Sequence, residues 1–235
     1  MAIIRMTERE LVKYLDQTNV TQEANKKEMR RVIQEARKHG FWGMAILPAW
    51  VPLAVCMLEG SDTHIVAAID FPMGTLPTEQ KVKQVQWVTQ NAPAGAEFDT
   101  VLNRTWLKAG EYERVREDIL AVVEAAKGHT VKSIIEMPDL TRDQVVIACL
   151  LSELAGAHYI KTSTGFKGFP FMRPSTAEDV RLIKSVVGDR LKVKAAGGIS
   201  TVEQVLALIE AGASRIGTSS GVAIVQGFRK LKVVV

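Results

Sequence analysis

The chain has 235 residues, of which 47% are hydrophobic and 24% charged, a composition typical of a folded soluble protein. Its net charge of +4 comes from 30 basic and 26 acidic residues scattered along the sequence, whereas nucleic-acid binding needs a concentrated basic patch. No N-terminal stretch resembles a signal peptide, and no apolar run approaches the roughly 20 residues that cross a bilayer. We therefore expect a cytoplasmic protein that binds neither nucleic acid nor membranes, and the basic isoelectric point of about 9.1 would allow acidic small molecules to be attracted.

Short apolar runs typical of strands alternate with longer segments of helical periodicity along the whole chain. The first four predicted strands are KYLDQ (13–17), GMAIL (43–47), HIVAAID (64–70) and EFDTVLN (97–103). The last four are TVKSIIE (130–136), HYIKTS (158–163), LKVKAA (191–196) and SRIGTS (214–219). Eight such units in residues 1–235, without a linker, predict a single-domain (β/α)8 barrel. An open doubly wound sheet is the alternative, but its G-x-G-x-x-G fingerprint is absent.

Helix boundaries have their own signals. Capping boxes are predicted at Thr141 with Gln144, Ser175 with Glu178, and Ser200 with Glu203. The tripeptide Ala-Gly-Ala recurs at 94–96, 155–157 and 211–213, each time between a predicted helix and the next strand. This recurrence indicates a repeated unit in which the glycine ends the helix.

Cysteine and histidine patterns give no sign of a metal site. Cys56 and Cys149 lie in apolar, helix-like stretches and form no motif, so we expect buried free thiols in a reducing compartment. The histidines lack metal-ligand spacing: His39, His64, His129 and His158. We predict a protein without a metal or other cofactor.

Polar residues are concentrated at the predicted strand ends, where a barrel carries its chemistry. They are Asp16, Asp70, Asp99, Asn103, Glu136, Lys161, Thr162, Ser163, Thr164, Lys194 and Thr218. Such residues also cap helices or line the rim, and for Asp70, Thr218 and Ser200 this structural interpretation is at least as good as a functional one.

Lys161 and Lys194 call for a chemical interpretation. They lie on consecutive predicted strands, which in a parallel barrel are neighbours about 4.8 Å apart, and alternation in LKVKAA directs Lys194 inward. Lys192 has the same parity but lies lower, toward the opposite mouth. A second ammonium about 6 Å away lowers the pKa of a lysine by about 2 units, which makes the amine nucleophilic near neutrality. The pattern predicts a Schiff-base lysine, with Asp99 able to move protons to and from it.

Two glycine-containing loops near the C-terminus predict a phosphate site. Gly197 and Gly198 lie between a strand end and a helix that opens near Ser200, and GTSSG at 217–221 repeats this arrangement after the last strand. Backbone N–H groups and helix N-termini at these two loops form the usual phosphate site of a barrel. The alternative is that the glycines only make tight turns.

Several motifs resemble those of the deoxyribose-phosphate aldolase family. They are KTSTG at 161–165, VKAAGG at 193–198, RIGTSSG at 215–221, LDQT at 15–18, FPMG at 71–74 followed by Thr78, Glu79 and Lys81, and KAGEYERVREDI at 108–119. The resemblance covers nearly the whole chain. It implies a metal-free aldolase on a (β/α)8 barrel that cleaves 2-deoxy-D-ribose 5-phosphate to acetaldehyde and D-glyceraldehyde 3-phosphate, and it implies a homo-oligomer, dimeric or tetrameric.

The resemblance also implies residue roles. Lys161 would form the Schiff base, Lys194 would lower its pKa and pair with Asp16, and Asp99 would relay protons. Substrate and phosphate would contact Thr18, Thr164, Gly165, Gly197, Gly198, Gly217, Ser219 and Ser220.

This chain departs from the family pattern in ways that concern the substrate more than the reaction. The usual D-H-T reads Asp16-Gln17-Thr18, Asp70 replaces a glycine, Ala196 replaces a serine and Ser200 replaces an arginine. Loss of the arginine predicts weaker phosphate binding. The C-terminal tyrosine of some relatives is also missing from the final KLKVVV.

Two alternatives remain open. One is another lysine-dependent sugar-phosphate aldolase or transaldolase. The other is a non-catalytic sugar-phosphate-binding barrel, although such a protein is expected to lose a lysine or Asp99 first, and all three residues are present.

Overall fold

The computed structural model describes residues 6–92 and 95–233, and in them eight parallel strands form a closed barrel in the order β1 to β8. The strands are β1 Leu15–Asn19, β2 Gly43–Ile46, β3 His64–Ile69, β4 Glu97–Val101, β5 Val131–Ile134, β6 Tyr159–Lys161, β7 Lys192–Ala196 and β8 Arg215–Thr218. The first strand pairs with the last through Leu15 and Ile216, which closes the barrel. The predicted (β/α)8 architecture is confirmed.

Helices follow the strands around the outside of the barrel. They are α1 Glu8–Val12, α2 Lys26–His39, α3 Val51–Leu58, α4 Thr78–Asn91, α5 Arg104–Lys108, α6 Tyr112–Ala125, α7 Arg142–Leu154, α8 Ala177–Val187, α9 Val202–Glu210 and α10 Gly221–Val233. Short 3-10 turns lie at Pro48–Trp50 and Met137–Asp139. Within the described ranges, none of these helices has both the length and the apolar composition needed to span a membrane.

The strands are mostly shorter than predicted. Asp70, Asn103 and Glu136 lie just beyond the strands that were expected to contain them, in the loops at the C-terminal mouth. β1 begins two residues later than predicted because α1, which is capped by Thr7, reaches Val12 and has Lys13 as its C-cap. These shifts place the polar side chains at the mouth and leave the strand order unchanged.

The capping boxes were predicted correctly for α7, where Thr141 and Gln144 bond reciprocally. The other two predictions were wrong by one residue, because Thr176 caps α8 and Thr201 caps α9. Ser175 is unavailable as a cap because its hydroxyl donates to the carbonyl oxygen of Ala196 at 2.6 Å.

Ser200 precedes the N-cap Thr201, and its backbone N–H donates to the Gln204 side chain at 2.8 Å. In two of the repeated Ala-Gly-Ala segments, the alanine is the C-cap of a helix and the glycine follows it. Gly156 has φ of 78° and Gly212 has φ of 107°, a conformation that favours glycine. Residue 94 of the first such segment lies outside the described residues.

Apolar packing occupies the layer between the barrel and its helices. Outward-facing residues of three consecutive strands, Ile160, Val193 and Ile216, are fully buried against this layer. Helix α2 contributes Met29 and Ile33 at the spacing of one helix face. Because the apolar side chains point outward, the inward positions of these strands are left for charged residues.

A buried ion cluster fixes the loop after β3. The Nζ atom of Lys81, on α4, lies 2.5 Å from Asp118 Oδ2 on α6 and donates to the carbonyl oxygen of Val101 at 3.0 Å. Asp70 Oδ2 is 3.6 Å from the same amine and accepts the backbone N–H of Leu76 at 2.9 Å. Asp70 has φ of 49°, in the left-handed region, a conformation that favours glycine and that explains the glycine implied at this position by the family resemblance.

The two cysteines are both free, but only one is buried. Cys149 lies in the core, and burial raises the pKa of its thiol to about 12. The prediction for Cys56 was wrong, because this residue is exposed. Helix α3 buries Val51, Ala54 and Leu58, and this spacing leaves Cys56 on the opposite face.

Candidate active site

Two lysines and two aspartates meet inside the barrel. Lys161 on β6 and Lys194 on β7 are register partners. Both amines lie 2.8 Å from the same oxygen, Oδ2 of Asp99 on β4. Lys194 Nζ also donates to Asp16 Oδ2 on β1, at 2.6 Å. The structure therefore brings together the four residues that the sequence singled out for chemistry.

A third lysine, which sequence reasoning missed, lies inside the barrel one layer further from the C-terminal mouth than Lys161 and Lys194. Lys132 on β5 is fully buried, and its Nζ atom is 3.1 Å from Asp99 Oδ1 and 2.6 Å from Glu97 Oε2. The signal was present in TVKSIIE, because a lysine in a strand buried on both faces has no ordinary packing role. The same reasoning was applied only to Lys161 and Lys194.

Arg215 on β8 was also missed. Its guanidinium lies 4.0 Å from the ring centroid of Trp42, and its Nη1 is 3.8 Å from Asp16 Oδ1. The N-terminal end of the barrel interior is thus occupied by an arginine stacked on an aromatic ring. Lys192, which was predicted to reach toward this N-terminal mouth, is the first residue of β7 and is exposed there.

These residues form a continuous charged column along the barrel interior. Its members are Asp16, Glu97, Asp99, Lys132, Lys161, Lys194 and Arg215. When every member is ionised, four cations face three carboxylates, so the column carries one positive charge too many. Burial makes an uncompensated charge costly, and loss of one proton from one lysine removes the excess.

Lys161 is the member placed to lose that proton. Its side chain is 6% exposed, whereas those of Lys132 and Lys194 are completely buried. Burial lowers the pKa of Lys161, and the cations Lys194 and Lys132 add to the lowering against the opposing effect of Asp99. The pKa of Lys132 is instead raised, because Asp99, Glu97 and Asp16 outweigh its burial. A neutral, reachable amine at Lys161 is what nucleophilic attack requires.

Asp99 is held in its charged form. Burial would raise the pKa of its carboxyl, but Lys132, Lys161 and Lys194 together hold it well below its usual range. Because one oxygen accepts from both Lys161 and Lys194, the carboxylate can pass a proton between these two amines without moving.

The loop after β6 is fixed from both sides. Glu136, two residues after β5, accepts the backbone N–H of Thr164 at 3.1 Å and has φ of 52°. Burial raises the pKa of Glu136. On the other side, the hydroxyls of Thr162 and Ser163 both donate to the carbonyl oxygen of Ala196, at 3.1 and 2.5 Å. The hydroxyls of this motif therefore hold the loop in place beside Lys161.

The glycines at the ends of β6 and β7 allow two loops to approach each other. Gly165 has φ of 74°, and a Cβ atom there would lie 3.1 Å from the Cα of Gly197. At Gly198, with φ of 66°, a Cβ would lie 2.8 Å from Pro174. Close packing explains both glycines, and the exposed Gly198 leaves its backbone open at the mouth.

The loop after β8 is joined to the loop after β7. The Thr218 hydroxyl donates to the carbonyl oxygen of Ile199 at 2.6 Å and accepts the N–H of Ser220 at 2.9 Å. Ser219 is exposed at the tip, two residues before the start of helix α10. Gly217 lies lower, within β8, where a Cβ would lie 3.2 Å from the Cε of Lys194.

Residues of β1 complete the mouth. Thr18 Oγ1 donates to the carbonyl oxygen of Asp16 at 3.0 Å. The side-chain oxygen of Gln17 accepts the N–H of Gly221 at 3.1 Å. The amide therefore fixes the start of α10 by a neutral hydrogen bond.

Comparisons with known proteins agree with this geometry. A family model described as DeoC/LacD family aldolase matches residues 11–227. The deoxyribose-phosphate aldolase of Thermococcus kodakarensis is 44% identical over 226 residues, covering 94% of this chain and 98% of that protein. That of Thermotoga maritima is 44% identical over 213 residues, covering 91% of this chain and 84% of that protein.

Solved structures give the same result. A structure described as QR15, an aldolase, has a TM-score of 0.88 at 33% identity and covers 96% of this chain and 99% of that one. The deoxyribose phosphate aldolase of Aeropyrum pernix, whose tetramer is described as unique, has a TM-score of 0.86 at 28% identity and covers 96% of this chain and 93% of that one.

Enzymes with a (β/α)8 barrel have their active sites at the C-terminal ends of the strands, where this chain has its charged side chains. Together with these relatives, this shows that the protein is an enzyme, a carbon–carbon lyase of the aldolase class. The chain belongs to the DeoC/LacD family of aldolases.

Proposed function

We propose that the protein cleaves 2-deoxy-D-ribose 5-phosphate reversibly to acetaldehyde and D-glyceraldehyde 3-phosphate, through a Schiff base on Lys161. The observation that carries this proposal is the column with one surplus cation, in which Lys161 is the most exposed of the three lysines. The neutral amine attacks the aldehyde carbon, and loss of water leaves an iminium ion. The iminium restores the positive charge that Lys161 had given up, so the column again has one cation too many, and conversion of the iminium to a neutral enamine removes that excess.

Carbon–carbon cleavage then needs one proton removed and one delivered. A base takes the proton from the hydroxyl on C3, the C2–C3 bond breaks, and its electrons neutralise the iminium to form an enamine. A proton added to C2 and hydrolysis of the imine release acetaldehyde. Asp99 and Lys194 are the relay for these protons because they share a hydrogen bond beside Lys161. Asp16 holds Lys194 in place.

The phosphate of the substrate binds at the joined loops after β7 and β8. Support for this placement comes from the exposed Gly198 and Ser219, from the hydrogen bonds of Thr218 that join the loops, and from the start of α10. The substrate-binding set is that implied by the family: Thr18, Thr164, Gly165, Gly197, Gly198, Gly217, Ser219 and Ser220. Ser200 supplies no positive charge where relatives have arginine, so backbone N–H groups carry most of the anion binding here.

The remaining features of the proposal follow from the family. We propose a metal-independent enzyme of deoxyribose phosphate catabolism that acts in the cytoplasm as a homo-oligomer. The tetramer described for the Aeropyrum pernix relative supports the last point. A different sugar-phosphate aldolase is the second candidate, favoured only by the substitutions at Gln17 and Ser200.

The phosphate site is tested by Gly198→Ala. A methyl group at this position lies 2.8 Å from Pro174, so the loop must shift away from the phosphate. We expect KM for deoxyribose 5-phosphate to rise about tenfold or more, with kcat/KM for unphosphorylated deoxyribose changed less than twofold. Gly110→Ala is the matched control, since Gly110 also has positive φ, 76°, but nothing lies within 4 Å of its added Cβ. Equal losses with both substrates would place the phosphate elsewhere.

The reaction class is tested by donor choice in the presence of a chelator. With D-glyceraldehyde 3-phosphate as acceptor, we expect acetaldehyde to be the best donor in a panel that includes propanal, acetone and dihydroxyacetone phosphate. Because the lysine mechanism needs no metal, prolonged incubation with EDTA should leave the rate unchanged. A preference for dihydroxyacetone phosphate would favour the second candidate, and loss of activity that zinc restores would exclude the lysine mechanism.

A further inference from the structure

The lower half of the barrel interior contains an ion pair for which the proposed mechanism has no step. Glu97 is the first residue of β4, two residues before Asp99 and one layer further from the mouth. Its Oε2 lies 2.6 Å from Lys132 Nζ, and its Oε1 accepts the indole N–H of Trp42 at 3.1 Å. Lys132 is fully buried and Glu97 nearly so. Such a pair is expensive to bury, and apolar residues of similar size would fill the space at less cost.

The pair is connected to the reacting amine by consecutive charge contacts. Lys132 Nζ is 3.1 Å from Asp99 Oδ1, and the other oxygen of Asp99 accepts from both Lys161 and Lys194. Glu97 therefore belongs to the same electrostatic unit as Lys161, although Lys132 and Asp99 lie between them. A charge added or removed at one end of this unit is felt at the other, because no solvent screens it.

We propose that Glu97 is a positioning residue of the aldol reaction, which acts through Lys132 to set the number of charges in the column and thereby how readily Lys161 gives up its proton. This inference rests on the proposed role of Lys161. With Glu97 ionised and Lys161 neutral, the three carboxylates of the column balance its three cations, Lys132, Lys194 and Arg215. With Glu97 neutral, the remaining cations already exceed the carboxylates, and a proton on Lys161 becomes still less favourable.

The surroundings of the pair support this assignment. Burial would raise the pKa of Glu97, but Lys132 and Arg215 lower it, so the carboxylate stays charged. Beyond the members of the column, the titratable or charged groups that face it are Tyr159, Glu136 and Lys192, together with His64, which stacks on Trp42. Among the described residues, the ion pairs of the column join its members only to one another, so these groups do not enter the charge count.

The test is the pH dependence of kcat/KM for deoxyribose 5-phosphate. Activity increases with pH as Lys161 loses its proton, so the acidic limb reports the protonation of this amine in the free enzyme. Glu97→Gln removes a negative charge and should move the limb to lower pH by about one unit. Lys132→Met removes a positive charge and should move it upward by a similar amount. The double variant restores the balance and should return the limb to within about 0.3 units of the wild type.

Asp118→Asn is the matched control, because it also removes a buried carboxylate that pairs with a lysine, but outside the barrel interior. It should lower thermal stability and leave the limb in place. A limb that stays fixed in both single variants, or a double variant whose shift is the sum of two shifts in one direction, overturns the proposal. Where Glu97→Gln alone does not fold, the double variant is compared with Lys132→Met: a limb at lower pH in the double variant supports the proposal, and an equal limb overturns it. Borohydride trapping, at a pH where kcat/KM has reached its plateau, separates failure of this proposal from failure of the proposed function. Absence of an adduct on Lys161 in the wild type refutes the Schiff-base function itself.

Discussion

Lys161→Ala should lower kcat for cleavage of deoxyribose 5-phosphate by about 10⁴-fold or more, because the covalent intermediate has no other place to form. In the wild type, borohydride added during turnover reduces the iminium and fixes a substrate-derived fragment to Lys161. Mass spectrometry of the peptides should find the adduct on that residue and find none in Lys161→Ala. Folding should survive, because the variant removes the surplus cation of the column and leaves three carboxylates facing three cations.

Lys167→Ala provides the control for this experiment. Lys167 lies in the same loop but is exposed, with no part in the charged column, so the variant should keep both turnover and the adduct on Lys161. An adduct on Lys194 in the wild type would reverse the roles of the two lysines. Normal turnover by Lys161→Ala would refute the covalent mechanism.

Lys194→Met should lower kcat/KM near neutral pH by about 10²- to 10³-fold while leaving the nucleophile in place. Without Lys194, the cations left in the column are Lys132, Arg215 and Lys161. They balance the three carboxylates only when Lys161 keeps its proton. The pKa of Lys161 therefore rises, the acidic limb of the pH profile moves upward by about one to two units, and borohydride trapping on Lys161 recovers at alkaline pH. The pH profile and trapping at two pH values measure this effect.

The double variant Asp16→Asn with Lys194→Met separates charge from proton relay. Lys194→Met alone leaves Asp16 buried without its partner, which costs about 3 to 5 kcal/mol in the free energy of unfolding. Removal of both partners should recover much of that stability and return the limb toward the wild-type position. If Lys194 also carries protons, kcat stays low in the double variant at every pH. Full recovery of kcat would show that Lys194 acts on the pKa of Lys161 alone.

The sequence was sufficient to predict the barrel and the upper part of the charged column. Strand order followed from periodicity, and Lys194 was placed inward by alternation in a single strand. Lys132 satisfied the same criterion but lies in TVKSIIE, where no neighbouring loop motif drew attention to the strand. Arg215 and Glu97 were missed because strand termini are usually solvated, and only the closed barrel shows that these two residues point into its interior.

Local signals were reliable for the type of element and less so for its boundary. Ser175 and Ser200 fit the capping pattern, but tertiary hydrogen bonds and the adjacent threonines decided the actual caps. Cys56 was predicted to be buried from the apolar character of its segment, whereas helix rotation places it outside. Such details depend on packing between elements, which a single sequence does not contain.

The charged column also divides the chain into two halves of opposite sign. Its three carboxylates, Asp16, Glu97 and Asp99, all lie on β1 and β4, while its four cations all lie on β5 to β8. A nascent chain with only the first four strands would carry the acids without partners, and the last four strands alone would carry only the bases. Neither half-barrel can bury its inner face by itself. Lys194 meets Asp16 across 178 positions of sequence, so the complete charged column requires strands from both halves of the barrel.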